Sequence, residues 1–196
     1  LVKSDNEKVA IYKKAASLYS NDYRPYNNMA EIAMKAANYN EAKSLLQKAA
    51  KLNPSAAEVN TNLGMLALID GNVAEAEKYL LKGTDSKENA SALGNLYVAQ
   101  GQYDRAVKAF GDTKSNAAAL AQIMSKNYTA AKNTLSQVEK ADAYTYYLNA
   151  IVGARTNNAT MVAENLKKAV KLDSSLLKKA ANDMEFVKFA AAIANL

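Results

Sequence analysis

Ser175-Leu176-Leu177-Lys178 is the segment whose spacing most resembles a nucleophile beside a base, a Ser three residues before a Lys, as some acyl-transfer sites use. The Lys-Thr-Gly element that accompanies it in such sites is absent, and Ser174 or Ser175 is equally suited to cap a helix. The chain has no His and no Cys. That excludes a His general base, a Cys nucleophile, a disulfide framework and a Cys/His zinc site. Carboxylates such as Glu75 and Glu77 are two apart, so on a helix they point to different faces. No pair stands out as catalytic acid and base. No Gly-x-Gly-x-x-Gly, no phosphate loop and no calcium-type Asp cluster occurs. The expectation is a protein with no catalytic residue, cofactor or metal, which acts by binding.

The elements that position a binding surface follow from composition. Among 196 residues there are two Pro, seven Gly, three Phe and no Trp, with abundant Ala. Small apolar residues with few breakers favour closely packed helices over a sheet. Net charge is +6 and uneven: residues 1–100 hold 12 basic and 11 acidic groups, residues 101–196 hold 13 and 8. Lys167, Lys168, Lys171, Lys178 and Lys179 supply much of the later excess. A nucleic-acid surface asks for interleaved aromatics and more Arg than Arg24, Arg105 and Arg155 provide. The stripe therefore reads as a solvated helix face. Leu1 suggests a processed or excised piece, attached to another domain before it; Leu1-Val2-Lys3-Ser4 is too short and polar for a signal h-region. No run approaches the ~20 apolar residues that cross a bilayer. The missing cysteines fit an oxidising or a reducing compartment equally.

A repeat organises the rest. Ala30 and Ala42 are twelve apart, as are Gly64 and Ala76, and Gly94 and Ala106; four residues after each second member come Leu46, Leu80 and Phe110. Turn signals lie between the partners at Ala37-Asn38-Tyr39, Gly71-Asn72-Val73 and Gly101-Gln102-Tyr103. Each unit is expected to be helix, tight turn, helix. Small residues let the paired backbones approach, and the larger one fills the gap toward the neighbouring unit. Ser4-Asp5-Asn6-Glu7 and Ser55-Ala56-Ala57-Glu58 read as capping boxes, and Pro25 suits a first helical turn.

These residues resemble the tetratricopeptide repeat: Leu63-Gly64, Gly71, Ala76 and Leu80 fit its pattern, as do Leu93-Gly94, Tyr97, Gly101, Tyr103, Ala106 and Phe110. Ala49-Ala50-Lys51-Leu52-Asn53-Pro54 matches its usual ending. The resemblance implies an all-α fold, a right-handed α-α superhelix of about five helix pairs with a C-terminal capping segment. It divides a single solenoid domain, 1–196, into a helix of a preceding repeat at 4–20, then repeats at about 23–54, 57–84, 87–113, 115–138 and 141–173. Residues 174–196 form the cap, read as two short helices with Phe186 and Phe189 covering the last pair. Tyr146-Tyr147-Leu148 through Ala154 departs from the repeat's register, which leaves the inward face of that helix open.

In this family the first helices line a concave groove, which would hold a peptide or protein segment. On that face fall Arg24, Asn27, Glu31, Met34 and Lys35, then Glu58, Thr61, Met65, Leu68 and Ile69, then Glu88, Ser91, Asn95 and Val98. The groove residues expected to meet a partner are Arg24, Asn27, Met34, Thr61, Met65, Leu68, Ile69, Ser91, Asn95 and Val98. Met65, Leu68, Ile69 and Val98 form an apolar patch that either binds a segment or packs on neighbouring helices. Glu31 and Glu88 stand where the family's clamp for acidic chaperone tails needs attraction, and only Asn62 matches it. The co-chaperone reading is therefore rejected. Glycan stacking on Tyr144, Tyr146 and Tyr147 is an alternative function, and nucleic-acid binding by the basic half a weaker one. The compressed later units, including Gly153-Ala154-Arg155-Thr156-Asn157-Asn158, resemble repeat modules of bacterial cell-envelope proteins, which implies a periplasmic or envelope location, and otherwise a cytoplasmic one.

Overall fold

The computed structural model of the chain describes residues 3–196. Among these residues there are thirteen α-helices and one 3₁₀ segment, and no strand. Helix α1 (Asp5–Leu18) is followed by five pairs: α2 (Arg24–Lys35) with α3 (Tyr39–Leu52), α4 (Ala57–Ile69) with α5 (Val73–Leu80), and α6 (Lys87–Ala99) with α7 (Tyr103–Phe110). Then come α8 (Asn116–Met124) with α9 (Tyr128–Ser136), and α10 (Ala143–Arg155) with α11 (Ala159–Leu172). The chain ends in α12 (Ser175–Ala181), the 3₁₀ segment Met184–Phe189 and α13 (Ala190–Ala194), so the terminal segment holds three short pieces instead of two. The backbone gathers into two compact units, Leu1–Leu93 and Gly94–Leu196.

One spacing runs through all five pairs. The triplets Ala30/Ala42/Leu46, Gly64/Ala76/Leu80, Gly94/Ala106/Phe110, Ala119/Ala131/Leu135 and Ala150/Val162/Leu166 are buried throughout. The large third member also covers the small first member of its own pair, while Leu46, Leu135 and Leu166 share clusters with the elements that follow. Leu46 clusters with Val59 and Leu66, Leu135 with Leu148 and Val152, and Leu166 with Leu176 and Phe186. A Cβ built on Gly64 would stand 2.6 Å from Leu80 Cγ, and one on Gly94 2.5 Å from Phe110 Cδ1. Absence of a side chain is what lets these pairs close, and each buried Leu or Phe returns roughly 1.5–3 kcal/mol of burial.

The five inter-helix turns share one geometry. Ala37, Gly71, Gly101, Lys126 and Asn157 each have φ between 55° and 74°. The residue after each donates its N–H across six residues: Asn38 to Ala33 O, Asn72 to Ala67 O, Gln102 to Tyr97 O, Asn127 to Gln122 O, and Asn158 to Gly153 O, at 2.7–2.8 Å. These are Schellman C-caps, which consume the last helical carbonyls and reverse the chain in three residues.

In the first unit, Ser4 caps α1 by the expected reciprocal box with Glu7. No residue of α1 is buried, although the helix packs on α2. The second expected box does not form: Ala56 caps α4 with no side-chain bond, and Ser55 turns its N–H and hydroxyl to Asn53 Oδ1 instead. Pro25 sits in the first turn of α2 as expected.

In the second unit, α10 turns Thr145, Tyr147, Leu148, Ala150, Val152 and Gly153 inward, which settles its face. Asp142 caps it through Thr145. Tyr147 meets Phe186 edge-on at 5.5 Å and donates its hydroxyl to Asp183 Oδ2 at 2.6 Å. Burial first, and then the Asp183 carboxylate, push the Tyr147 phenol above its ordinary value. Arg155 forks onto Glu185 and also donates to Ile123 O, so the terminal segment is tied to both α8 and α10. Phe186 and Phe189 cover the last pair, in one cluster with Ala150, Val162 and Leu166.

Candidate partner-binding cleft

The first unit contains a cleft of 460 Å³ lined by Glu31, Met34, Lys35, Glu58, Thr61, Asn62, Met65, Thr84, Ser86 and Glu88. Its residues come from α2, α4, the loop after α5 and the first turn of α6. Side-chain hydrogen bonds build the floor. Asn62, 8% exposed, donates from Nδ2 to Asn27 Oδ1 (2.9 Å) and Glu31 Oε1 (3.2 Å), while Asn27 Nδ2 donates to the same Glu31 oxygen at 3.2 Å. Beside it, Thr61 donates to Asn89 Oδ1 at 3.0 Å, and Asn89 Nδ2 donates to Leu80 O at 3.0 Å. Thr84 N–H donates to Thr61 Oγ1 at 2.9 Å, and the Thr84 hydroxyl donates to Ser86 Oγ. The loop after α5 is thus drawn onto α4. Buried polar groups this well paired hold one arrangement, since breaking any bond strands a partner.

Gly83 makes that approach possible. A Cβ there would stand 2.1 Å from Asn89 Oδ1 and 2.5 Å from Thr61 Oγ1. Along one wall Tyr23 donates its hydroxyl to Glu58 Oε1 at 2.6 Å, and that bond, ahead of burial, raises the phenol above its ordinary value. Three carboxylates, Glu31, Glu58 and Glu88, face one ammonium, Lys35, with Met34 and Met65 as the apolar lining. The remaining polar surface is hydroxyl and amide. Such a concavity can seat an extended segment by shape, hydrogen bonds and charge; it offers no nucleophile with a base beside it.

Of the residues expected to meet a partner, Met34, Thr61 and Met65 line this cleft. Asn27, 3% exposed, lies beneath it as a floor partner. Arg24 is exposed and forks onto Asp22 (2.7–3.1 Å), lowering the Asp22 carboxyl through the side-chain hydrogen bond. Half-buried Leu68 and exposed Ile69 lie outside the lining, one turn further along α4, and Ser91 is half-buried on α6. Asn95 and Val98 belong to the second unit, the first exposed and the second half-buried. Thr84 and Ser86 were missed, although the Gly83-Thr84-Asp85-Ser86 turn between two helices was a legible signal for a loop with hydrogen-bonding side chains.

Elsewhere the other candidates resolve differently. Ser174 is the N-cap of α12, as expected, although its side chain makes no capping bond, and Ser175 gives its N–H and hydroxyl to Asp173 Oδ1 (3.0 and 2.7 Å). The lysine stripe does meet aromatics, which come from α10: Lys168 Nζ lies 5.6 Å from the Tyr146 ring, and Lys179 Nζ 5.6 and 4.9 Å from those of Tyr144 and Tyr147. Those rings already carry an ammonium, and Tyr147 is 1% exposed, so the placement lends no support to sugar stacking. Among the described residues no helix is long and apolar enough to cross a membrane, and no group of His, Cys, Asp or Glu could hold a metal ion.

Two family models, both described as tetratricopeptide repeat, match residues 27–90 and 90–113. No curated protein matches the sequence significantly. Among solved structures, YrrB, a TPR protein with an unusual peptide-binding site, superposes with a TM-score of 0.68 at 19% identity, covering 94% of this chain and 98% of its own. Pseudomonas aeruginosa pilF gives 0.69 at 14% identity, covering 96% and 99%. PilW, a type IV pilus biogenesis factor, gives 0.60 at 18% identity, covering 94% and 90%. At these identities the likeness fixes the fold alone: an all-α solenoid of the same type.

Proposed function

Because this chain is a tetratricopeptide-repeat protein, with repeats matched across residues 27–113, we propose that it acts by holding a peptide segment of a partner protein in the cleft of its first unit. The fold is a protein-interaction scaffold in general; the finer reading concerns where and how. One observation carries it: a cleft of peptide-sized volume, 460 Å³, whose floor is a closed set of buried side-chain hydrogen bonds. A preformed floor spares the ordering cost that weakens binding to a mobile surface. Support also comes from YrrB, which shares the fold and has a peptide-binding site. The activity is binding without bond making or breaking, as the repeat fold and the hydroxyl-and-amide lining suggest. The same proposal keeps the bacterial-envelope location, supported by the texture of residues 153–158 and tested by recovery with periplasmic rather than cytosolic markers on fractionation of source cells.

The test is selection of short randomised peptides on the intact protein, followed by backbone NMR titration with the tightest one. The proposal expects shift changes gathered at Glu31–Lys35, Glu58–Met65 and Thr84–Glu88. A library that yields no binder, or shifts gathered on α3 and α5, overturns it.

A further inference from the structure

The cleft has a charge that the rest of its unit lacks. Residues 1–93 carry the same 12 basic and 11 acidic groups as residues 1–100, a net +1. Yet three carboxylates face one ammonium inside the lining. An anionic segment is repelled there, and a cation gains from each carboxylate in a concavity where water screens less than on open surface.

A second observation points the same way independently. Both N–H donors of Asn62 are spent on Asn27 and Glu31, whereas its Oδ1 accepts no hydrogen bond from any described residue. Asn62 is 8% exposed and lines the cleft. That oxygen is not sealed from water, so it stands as an open acceptor on the cleft wall that an occupant's N–H can meet. The cleft therefore presents one acceptor and three anions, and asks for donors with positive charge. Met34 and Met65 add an adaptable apolar wall of the kind that accepts a methylene stem.

We propose that the segment held in this cleft carries a lysine or arginine, whose cationic head lies among Glu31, Glu58 and Glu88 and donates to Asn62 Oδ1, its stem against Met34 and Met65. This rests on the peptide-cleft reading above and names the chemistry of its occupant. The partner is a basic segment of a protein; an acidic segment, or an uncharged apolar one, is the competing occupant. Selectivity arises because Glu31 is pinned by Asn27 and Asn62, and Glu58 by Tyr23, so their charges are fixed in place before the partner arrives.

The experiment reads the composition of the peptides selected on the intact protein, then titrates the tightest into wild type and Glu88→Lys. Glu88 is exposed, and its side chain makes no bond to the floor, so circular dichroism should confirm that the variant folds. The expected result is enrichment of Lys or Arg. Glu88→Lys should weaken that peptide by roughly ten-fold at low salt, chiefly through slower association, and high salt should erase most of the difference. Peptides poor in Lys and Arg whose NMR shifts still gather in the cleft overturn the cationic occupant and leave the peptide-cleft reading standing. A basic peptide indifferent to both Glu88→Lys and salt also overturns it. Absence of any binder overturns both.

Discussion

Replacing Gly94 by Ala tests the packing rule that builds every helix pair. In an isolated helix the change would stabilise by about 1 kcal/mol, because Ala is the better helix former. Here the new Cβ would stand 2.5–2.6 Å from three atoms of the Phe110 ring, where ordinary contact begins near 3.4 Å. The ring must retreat by about 1 Å within a packed core, and overpacking of that kind costs about 1–3 kcal/mol. The clash outweighs propensity, and Gly94→Ala should destabilise by about 1–2 kcal/mol. Phe110→Leu alone should cost about 1 kcal/mol for lost volume. Their combination recreates an Ala–Leu pair that the chain already uses at Ala30/Leu46, Ala119/Leu135 and Ala150/Leu166. The double variant should therefore be more stable than Gly94→Ala, with a coupling of at least about 1 kcal/mol. Urea denaturation followed by far-UV circular dichroism measures all four corners of the cycle. Additive costs, or a Gly94→Ala protein as stable as wild type, would refute the close approach of α6 and α7.

Three further outcomes are expected. Lys126 holds φ at 61° at a turn where Gly71 and Gly101 serve elsewhere, so Lys126→Gly should raise stability by about 0.5–1 kcal/mol, with relief of left-handed strain exceeding the added unfolded-state entropy; an unchanged urea midpoint would contradict this. Gly83→Ala should cost about 2–3 kcal/mol and abolish peptide binding, because its Cβ displaces Asn89 and Thr61 and strands their partners; a neutral result would mean the cleft floor is not rigid. Tyr147→Phe should cost about 1 kcal/mol at neutral pH, measured as a shift in urea midpoint. The folded phenol titrates above its unfolded value near 10, so its contribution is complete below about pH 10 and is lost as pH rises through the folded value. The gap between wild type and Tyr147→Phe should close above pH 10; a gap that widens there would reverse the sign.

The helix pairs were legible because their signal is covalent spacing: residues 12 and 16 apart must face each other across a three-residue turn. Gly64, Gly94 and Phe110 announce themselves through size. The fifth pair was harder because Tyr146, Tyr147 and Leu148 put three large residues in a row, and only burial shows that Ala150 carries the register. Which of Ser55 or Ala56 caps α4 depends on local competition for Asn53 Oδ1, which spacing does not encode. The cleft was legible in part. Face mapping found Met34, Thr61 and Met65, and it also placed Glu31, Lys35, Glu58 and Glu88 on the same face. It could not separate a lining residue such as Met65 from Asn27, which the floor consumes, since both fall on the same helix face. Thr84 and Ser86 reach the cleft only because Thr61 draws the loop inward, a tertiary contact across 23 residues of sequence.

The central claim is that the first unit's cleft holds a partner segment, and a crystal structure of the intact protein with a selected peptide tests it most directly. Peptide density is expected between Met34 and Met65, with a Lys or Arg head donating to Asn62 Oδ1 and the floor bonds of Thr61 and Asn89 unchanged. A peptide seated on α3 and α5 would contradict it, whereas one seated in the cleft that leaves Asn62 Oδ1 without a donor would contradict only the cationic occupant.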